Sequence, residues 1–413
     1  MAAERRQFGW AWLLGLVLAL LPGMACAQDT LDRNVHERII EIQALADEGE
    51  VAAAMEALQQ LAGSLASRPL DRAVVLQRLA LLQLGEERFA DGLATLDRAM
   101  EPIETLPAPL AASLHYVRAQ VLIIEERFDE ALAALERWRA IGDEDAQPHG
   151  LFLIAYANYR LGRPAAAIEV LERLADRPDR SDSWIELLVF LYLDQGDWER
   201  ARERLWTELE RDPSAPRWWR RLASAQLGME RLDSGLADLE LAAALAPGES
   251  TDWMRRVRLW ALVGAPRVAA DLLDEGLVRE SVPADAEHLL LLGRLRAMAR
   301  QPELAASAWT RAAEAGAGAG AEAFRMLGRM QLDRLEYEAA RSSLERALAM
   351  AEPDDRPAVE FLLGIVAWRL GDADRARAAM SAARADDALR ERSDRWLDYM
   401  ERSAAAMGAG PAP

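Results

Sequence analysis

The residues that most often carry chemistry are scarce in this 413-residue chain and poorly placed for it. Its four histidines, His36, His115, His149 and His288, lie far apart and share no metal-ligand spacing. There is no lysine, so all 49 basic residues are arginine, which excludes a P-loop lysine and a Schiff-base lysine. The acidic pairs Glu86-Glu87, Glu125-Glu126 and Asp386-Asp387 fall at expected turns or helix ends, where solvated charge and helix capping account for them. No serine nucleophile motif, glycine-rich phosphate loop or metal cluster stands in the sequence. The expectation is therefore a protein that is not an enzyme and uses no cofactor or metal. What remains is recognition chemistry. Arginine pairs with carboxylates through two parallel hydrogen bonds, and aromatic rings anchor protein interfaces.

The elements that would position such residues are written in a repeat. Between Gln195 and Pro247 one pattern occurs twice: Gln195-Gly196-Asp197-Trp198, Ala201, Leu205 and Asp212-Pro213, then Met229-Glu230-Arg231-Leu232, Gly235, Leu239 and Ala246-Pro247. The pairs Ala201/Gly235 and Pro213/Pro247 are each 34 residues apart, a period typical of helix–turn–helix repeats. A small residue marks the second helix of every unit: Ala54, Gly92, Ala131, Ala167, Ala201, Gly235, Ala269, Ala305, Ala340 and Ala376. Four residues later comes an apolar one: Leu58, Leu96, Leu135, Leu171, Leu205, Leu239, Leu273, Trp309, Leu344 and Met380. That i, i+4 pair is one buried helical stripe. The intervening turns are assigned to Gly49, Gly85, Gly162, Gly196, Gly228, Gly264 and Gly371. Ala, Leu, Glu and Arg dominate and 51% of residues are hydrophobic, which suits an all-helical chain.

These units resemble the tetratricopeptide repeat (TPR) family. Trp219, Trp253 and Phe324 match its early aromatic position, and Leu292-Gly293, Leu327-Gly328 and Leu363-Gly364 repeat its Leu-Gly pair. The resemblance implies an all-α solenoid of about ten helix–turn–helix repeats over residues 28–386. A capping helix would follow at 387–403, with Leu389, Trp396, Leu397 and Met400 on its apolar side, and a disordered tail at 404–413. The polar segment Gly142–Pro148 reads as a loop and the Gly/Ala run Ala315–Gly320 as a flexible joint.

Family geometry lines the concave face with the first helix of each repeat. It places Tyr116, Gln120, Ile123, Phe152, Tyr156, Tyr159, Glu186 and Phe190 there in the third to fifth repeats. In the sixth to tenth it places Arg220, Arg258, Arg294, Arg325, Arg329 and Arg369. An aromatic segment followed by an arginine ladder suits a protein partner with acidic segments. The alternative is that the arginines merely cover solvent faces, since every basic residue here is arginine. The Lys/Asn peptide clamp of chaperone-binding TPR modules does not carry over, because lysine is absent and the only asparagines are Asn34 and Asn158.

Residues 1–27 read as an export signal. Arg5 and Arg6 supply positive charge, Trp10–Leu21 an apolar core, Pro22-Gly23 a break, and Ala25-Cys26-Ala27 a cleavage site before Gln28. The apolar core falls short of the roughly 20 residues that span a bilayer. Cys26 is the sole cysteine and a possible lipidation site, but Gly23 stands where a branched aliphatic residue is favoured. Arg5-Arg6-Gln7-Phe8 partly resembles a twin-arginine signal, so the choice between Sec and Tat export stays open. Losing Glu4, Arg5 and Arg6 with the signal takes the formal net charge from -19 to -20. Such acidity argues against nucleic acid as a general partner. The expected address is the periplasm, with no membrane span after cleavage.

From about Asp182 to Glu401 the chain is similar to TPR proteins encoded beside bacterial TonB–ExbB–ExbD genes. The resemblance rests on Gly264-Ala265-Pro266, Ala269-Ala270, Leu272-Leu273, Gly276-Leu277, Leu362-Leu363-Gly364-Ile365 and Trp396-Leu397-Asp398-Tyr399. It implies a periplasmic scaffold with TonB, ExbB or ExbD as partner, accessory to energy-transducing uptake. Two alternatives stand beside it: a scaffold for cell-envelope, secretion or exopolysaccharide machinery, and a glycan-binding module stacking sugars on Tyr116, Phe152, Tyr156 and Tyr159.

Overall fold

Proline opens helix after helix, because its fixed φ suits the first turn and its missing N–H would have no partner there. Pro69, Pro148, Pro164, Pro216, Pro266 and Pro302 each stand first in a helix, and Pro109 and Pro357 second. The computed structural model describes residues 31–142, 148–247, 252–315 and 317–408. The segment expected to be an export signal, with Cys26 and the expected cleavage site, most of the loop expected at 142–148, and residues 409–413 lie outside the described residues.

The described residues form 21 α-helices: α1 Arg33–Asp47, α2 Val51–Ser64, α3 Pro69–Gly85, α4 Phe89–Ala99, α5 Ala108–Ile124, α6 Phe128–Ile141, α7 Pro148–Arg160, α8 Pro164–Ala175, α9 Asp182–Asp194, α10 Trp198–Arg211, α11 Pro216–Gly228, α12 Leu232–Leu245, α13 Trp253–Leu262, α14 Pro266–Val278, α15 Ala286–Met298, α16 Pro302–Ala315, α17 Ala317–Asp333, α18 Tyr337–Met350, α19 Arg356–Arg369, α20 Ala373–Ala383 and α21 Asp387–Gly408. A short 3-10 turn, Ile103–Thr105, sits between α4 and α5. No strand occurs among the described residues. Odd-numbered helices from α1 to α19 are the first helices of ten repeats, even-numbered ones the second, and α21 is the cap. This is the all-α TPR solenoid that the sequence implies.

The chain divides into two compact units, Met1–Asp197 and Trp198–Pro413. In the first, the hairpins α1–α2, α3–α4, α5–α6 and α7–α8 each pack internally and against the next first helix, ending with α9. In the second, α10 packs on α11, and the hairpins α11–α12 to α19–α20 continue to α21.

The hairpin turns share one backbone geometry. A residue with positive φ lies five positions before every marker: Gly49, Glu87, Glu126, Gly162, Gly196, Glu230, Gly264, Arg300, Leu335 and Gly371. The following N–H donates to the carbonyl five residues back, as in Arg88 to Gln83 at 2.8 Å and Asp372 to Ala367 at 2.9 Å. This Schellman closure satisfies carbonyls that the helix end leaves open. Two turn assignments are thereby corrected. Gly85 and Gly228 end α3 and α11, and Glu87 and Glu230 adopt the left-handed conformation instead. The packing at Gly228 gives a different reason for its glycine: a Cβ there would lie 2.4 Å from the Trp198 ring.

The marker stripe is the core. The eight alanines of the set have no exposed surface, and Leu96, Leu135, Leu171, Leu205, Leu239, Leu273, Leu344 and Met380 are equally closed. The Leu-Gly pairs work within each hairpin. A Cβ on Gly293, Gly328 or Gly364 would fall within 3.0 Å of Trp309, Leu344 or Met380, each 16 residues on. Glycine lets the large side chain of the second helix press onto the backbone of the first.

Two expected boundaries move. The Gly/Ala run at 315–320 is almost wholly helical, since α16 ends at Ala315 and α17 begins at Ala317. Gly320 is held there by close packing, as a Cβ would lie 2.2 Å from Met350 Cε. The last helix runs from Asp387 to Gly408, because the alanines at 404–406 and Met407 are good helix formers and no breaker stands among them. Residues 404–408 are therefore helix rather than tail.

Candidate functional site

In the first unit, α7 presents Phe152, Tyr156 and Tyr159 at i, i+4 and i+7, one face of a helix. The rings form a chain: Phe152 to Tyr156 at 6.5 Å between centroids, Tyr156 to Tyr159 at 6.4 Å, and Tyr159 to Phe190 of α9 at 5.7 Å, edge-on. Trp184 of α9 stacks on Phe152 at 6.4 Å and meets His149 edge-on at 5.6 Å. Burial beside that indole lowers the His149 pKa, against a smaller raising effect of Asp179. Tyr156 itself is closed in. Its hydroxyl accepts from Arg160 Nη1 at 2.9 Å, and its ring lies edge-on to Phe128 of α6 at 6.3 Å. The Arg160 guanidinium sits 4.5 Å above the Phe128 ring and bonds Glu126 at 3.0 Å.

The accessible aromatic surface therefore consists of Phe152, Tyr159 and Phe190, each half-buried. Tyr116, placed on the binding face by sequence, is a core residue at 8% exposure. Its ring packs 5.6 Å from that of Trp138, and burial pushes its pKa up to about 12. Gln120 and Ile123 are likewise buried.

In the second unit Arg258, Arg294 and Arg329 stand eleven residues before their markers in three successive repeats, on α13, α15 and α17, and all three are exposed. Arg220 and Arg325 share a second position, fifteen before the marker, and Arg369 falls outside both registers. Carboxylates of the chain take up part of the ladder. Arg220 pairs with Asp252 at 2.8 Å, Arg294 with Glu322 at 3.3 Å, and Arg325 also with Glu322. Arg258, Arg329 and Arg369 form no ion pair among the described residues. Elsewhere arginine serves the fold. Buried Arg296 bridges Asp271 and Asp274 of α14, and Arg256 with Trp260 holds Glu240.

Sequence reasoning missed Arg160, whose only signal is its place four residues after Tyr156, and Glu322, which pairs with two ladder arginines. It also missed a cleft at the cap. Trp368 and Arg369 of α19 face Arg392, Arg395, Trp396 and Tyr399 of α21 around an open space of about 360 Å³. Among the described residues no three metal-ligating side chains cluster, and no helix is long and apolar enough to cross a membrane.

Comparison with known proteins agrees with the repeat. Tetratricopeptide repeat family models match residues 78–148, 159–225 and 325–390. Solved structures with similar folds include YrrB, described as a TPR protein with an unusual peptide-binding site. It is 19% identical, with 43% of this chain and 88% of that chain covered and a TM-score of 0.38. The C-terminal part of a TPR protein from Cytophaga hutchinsonii is 14% identical, covering 68% of this chain and 98% of that one at a TM-score of 0.41. Among curated proteins, an ATP synthase subunit b of Pelobacter propionicus is 32% identical over 161 residues, 38% of this chain and 76% of that protein. Helical chains rich in Ala, Leu, Glu and Arg align readily with one another, so this last likeness carries no function here. The ten hairpins, their common turn and the matched repeat models agree: the chain belongs to the tetratricopeptide repeat family.

Proposed function

We propose that this TPR scaffold is non-enzymatic, works in the periplasm, and binds a component of a TonB–ExbB–ExbD system through the exposed faces of its first helices. TPR proteins bind protein partners, and the observation that carries the proposal is the recurrence of Arg258, Arg294 and Arg329. Three exposed guanidiniums stand at one repeat position, two of them without an ion pair, in a chain of net charge -19. That pattern suits acidic segments of a partner, because guanidinium grips carboxylates with defined geometry. The half-buried rings of Phe152, Tyr159 and Phe190 add apolar anchor surface in the first unit. Support for the address comes from the N-terminal sequence, and support for the TonB system from the resemblance over residues 182–401. The glycan-stacking alternative is weakened, since Tyr116 and Tyr156 are buried.

The test is in vivo crosslinking from positions flanking Arg258 and Arg329, with the captured protein identified. Crosslinks to TonB, ExbB or ExbD are expected. The triple variant Arg258→Glu, Arg294→Glu, Arg329→Glu should lower their yield at least tenfold with unchanged helical circular dichroism, since charge-assisted contacts contribute about 1.5–3 kcal/mol each. Crosslinks confined to secretion or polysaccharide-export proteins would replace the TonB reading by the envelope-assembly one. An undiminished yield from the triple variant would remove the arginine face from the interface.

A further inference from the structure

The cap is more than a closing helix. One side of α21 is buried against the last hairpin, where Met400 and Ser393 have no exposed surface and Leu389 and Leu397 pack against the cluster that contains Phe361, Met380 and Met400. A neighbouring stripe carries Arg392, Arg395, Trp396 and Tyr399, at i, i+3, i+4 and i+7, and with Trp368 and Arg369 of α19 it walls the open cleft of about 360 Å³. Three guanidiniums and three rings thus surround one space.

The rings are set edge to face. Tyr399 meets Trp396 at 5.8 Å and 90°, and Trp368 at 5.9 Å and 71°. Tyr399 is nevertheless 50% exposed, which leaves apolar surface open to a ligand. The positive charge is scarcely compensated. Arg392 lies 4.8 Å above the Phe361 ring, which fixes its guanidinium without neutralising it, and it has no ion pair among the described residues. Arg369 has none either, and Arg395 meets only Glu391 at a loose 3.7 Å, with both side chains mostly in solvent. By contrast, Arg384 and Arg390 nearby each hold an aspartate.

We propose that this cleft binds a short acidic peptide segment of a partner protein, with its carboxylates on Arg369, Arg392 and Arg395 and an apolar side chain among Trp368, Trp396 and Tyr399. Charge complementarity selects an anion, and the rings select an anion with an apolar neighbour. A short peptide brings few charges to a protein of net charge -19. A nucleic acid or an anionic bilayer brings a whole field of like charge against the rest of the surface. The site is separate from the Arg258–Arg329 face and does not depend on the TonB reading.

The test uses the full chain and a fluorescein-labelled peptide, Glu-Glu-Leu-Glu-Glu, read by anisotropy in low and moderate salt. The isosteric Gln-Gln-Leu-Gln-Gln peptide, a phosphatidylglycerol vesicle and a single-stranded oligonucleotide are run beside it. Binding of the acidic peptide, quenching of tryptophan fluorescence and little binding of the other three are expected. Arg369→Gln and Arg395→Gln, which disturb no ring stacking, should each weaken binding about tenfold. With Arg258→Glu and Arg329→Glu in place, the part of the binding that Arg369→Gln and Arg395→Gln remove should persist, which separates this site from the other face. Equal binding of the glutamine peptide, preference for the vesicle or oligonucleotide, or loss of binding only with Arg258→Glu and Arg329→Glu would each overturn the proposal.

Discussion

Asp238 shows how one residue can depart from a repeat and leave a measurable trace. In the ninth repeat Ser343, three residues after its marker, donates to Gln331 Oε1 at 2.8 Å. The same two positions in the sixth repeat hold Asp238 and Gln226, both buried. Asp238 Oδ2 and Gln226 Oε1 are left without a hydrogen-bond partner. A protonated Asp238 would donate as Ser343 does, and burial pushes its pKa up to about 6. The native state therefore favours the neutral acid. Its contribution is fully present below the ordinary carboxylate pKa near 3.8 and is lost as pH rises through about 6. Asp238→Asn, whose amide can donate at any pH, should stabilise the chain by on the order of 1–2 kcal/mol at pH 8 and change little at pH 4. Denaturant unfolding at both pH values checks this, and an equal offset at both would refute the assignment.

At the scale of the element, the hairpin turn is a fixed backbone shape that does not require one residue type. Five of the ten turns use glycine at the left-handed position, and five place Glu, Arg or Leu there. A side chain at positive φ costs about 1–2 kcal/mol, partly offset because glycine loses about 0.5–1 kcal/mol more backbone entropy on folding. Leu335→Gly should therefore raise stability by roughly 0.5–1 kcal/mol, as this side chain is 68% exposed and makes little core contact. Gly371→Ala should lower it by a similar amount, since an added Cβ meets nothing within 4 Å and only the conformation resists. Paired thermal melts of the two variants, moving in opposite directions, are the measurement. In the sequence the turn is marked by glycine only in part, with seven glycines set against ten turns. Counting five positions back from each marker finds all ten turns, with or without glycine.

On the scale of the whole molecule, a repeat protein distributes its stability between neighbours, so a lesion stays local. Met400 anchors α21 in the small cluster with Phe361, Met380 and Ala383. Met400→Ala should cost about 2–5 kcal/mol there. Amide exchange in α21 is expected to accelerate by at least tenfold, while α1 to α9 stay as protected as in the parent protein. Uniform acceleration along the chain would mean that the cap is coupled to the entire array.

The sequence by itself determined the repeat, its ten members and the marker residues. Burial of a small residue and a large one four positions later is a local, periodic demand, and Ala54 through Met380 state it openly. It also supplied the first-helix positions where Arg258, Arg294 and Arg329 recur. Tertiary structure decided which of the ladder arginines are paired across repeats, because Asp252 at the start of α13 meets Arg220 of α11 and Glu322 of α17 meets Arg294 of α15. The Glu322–Arg325 pair, by contrast, lies within α17 three residues apart and is legible in the sequence. Tyr116 and Phe152 occupy the same repeat position, yet one is core and the other accessible, because Trp138 covers the first. The cap cleft belongs to the same class of fact. Trp396 read as an apolar capping residue, and only the packing of α21 beside α19 brings its ring to Arg369, Trp368 and Tyr399, since a surface made by two helices is written in neither alone.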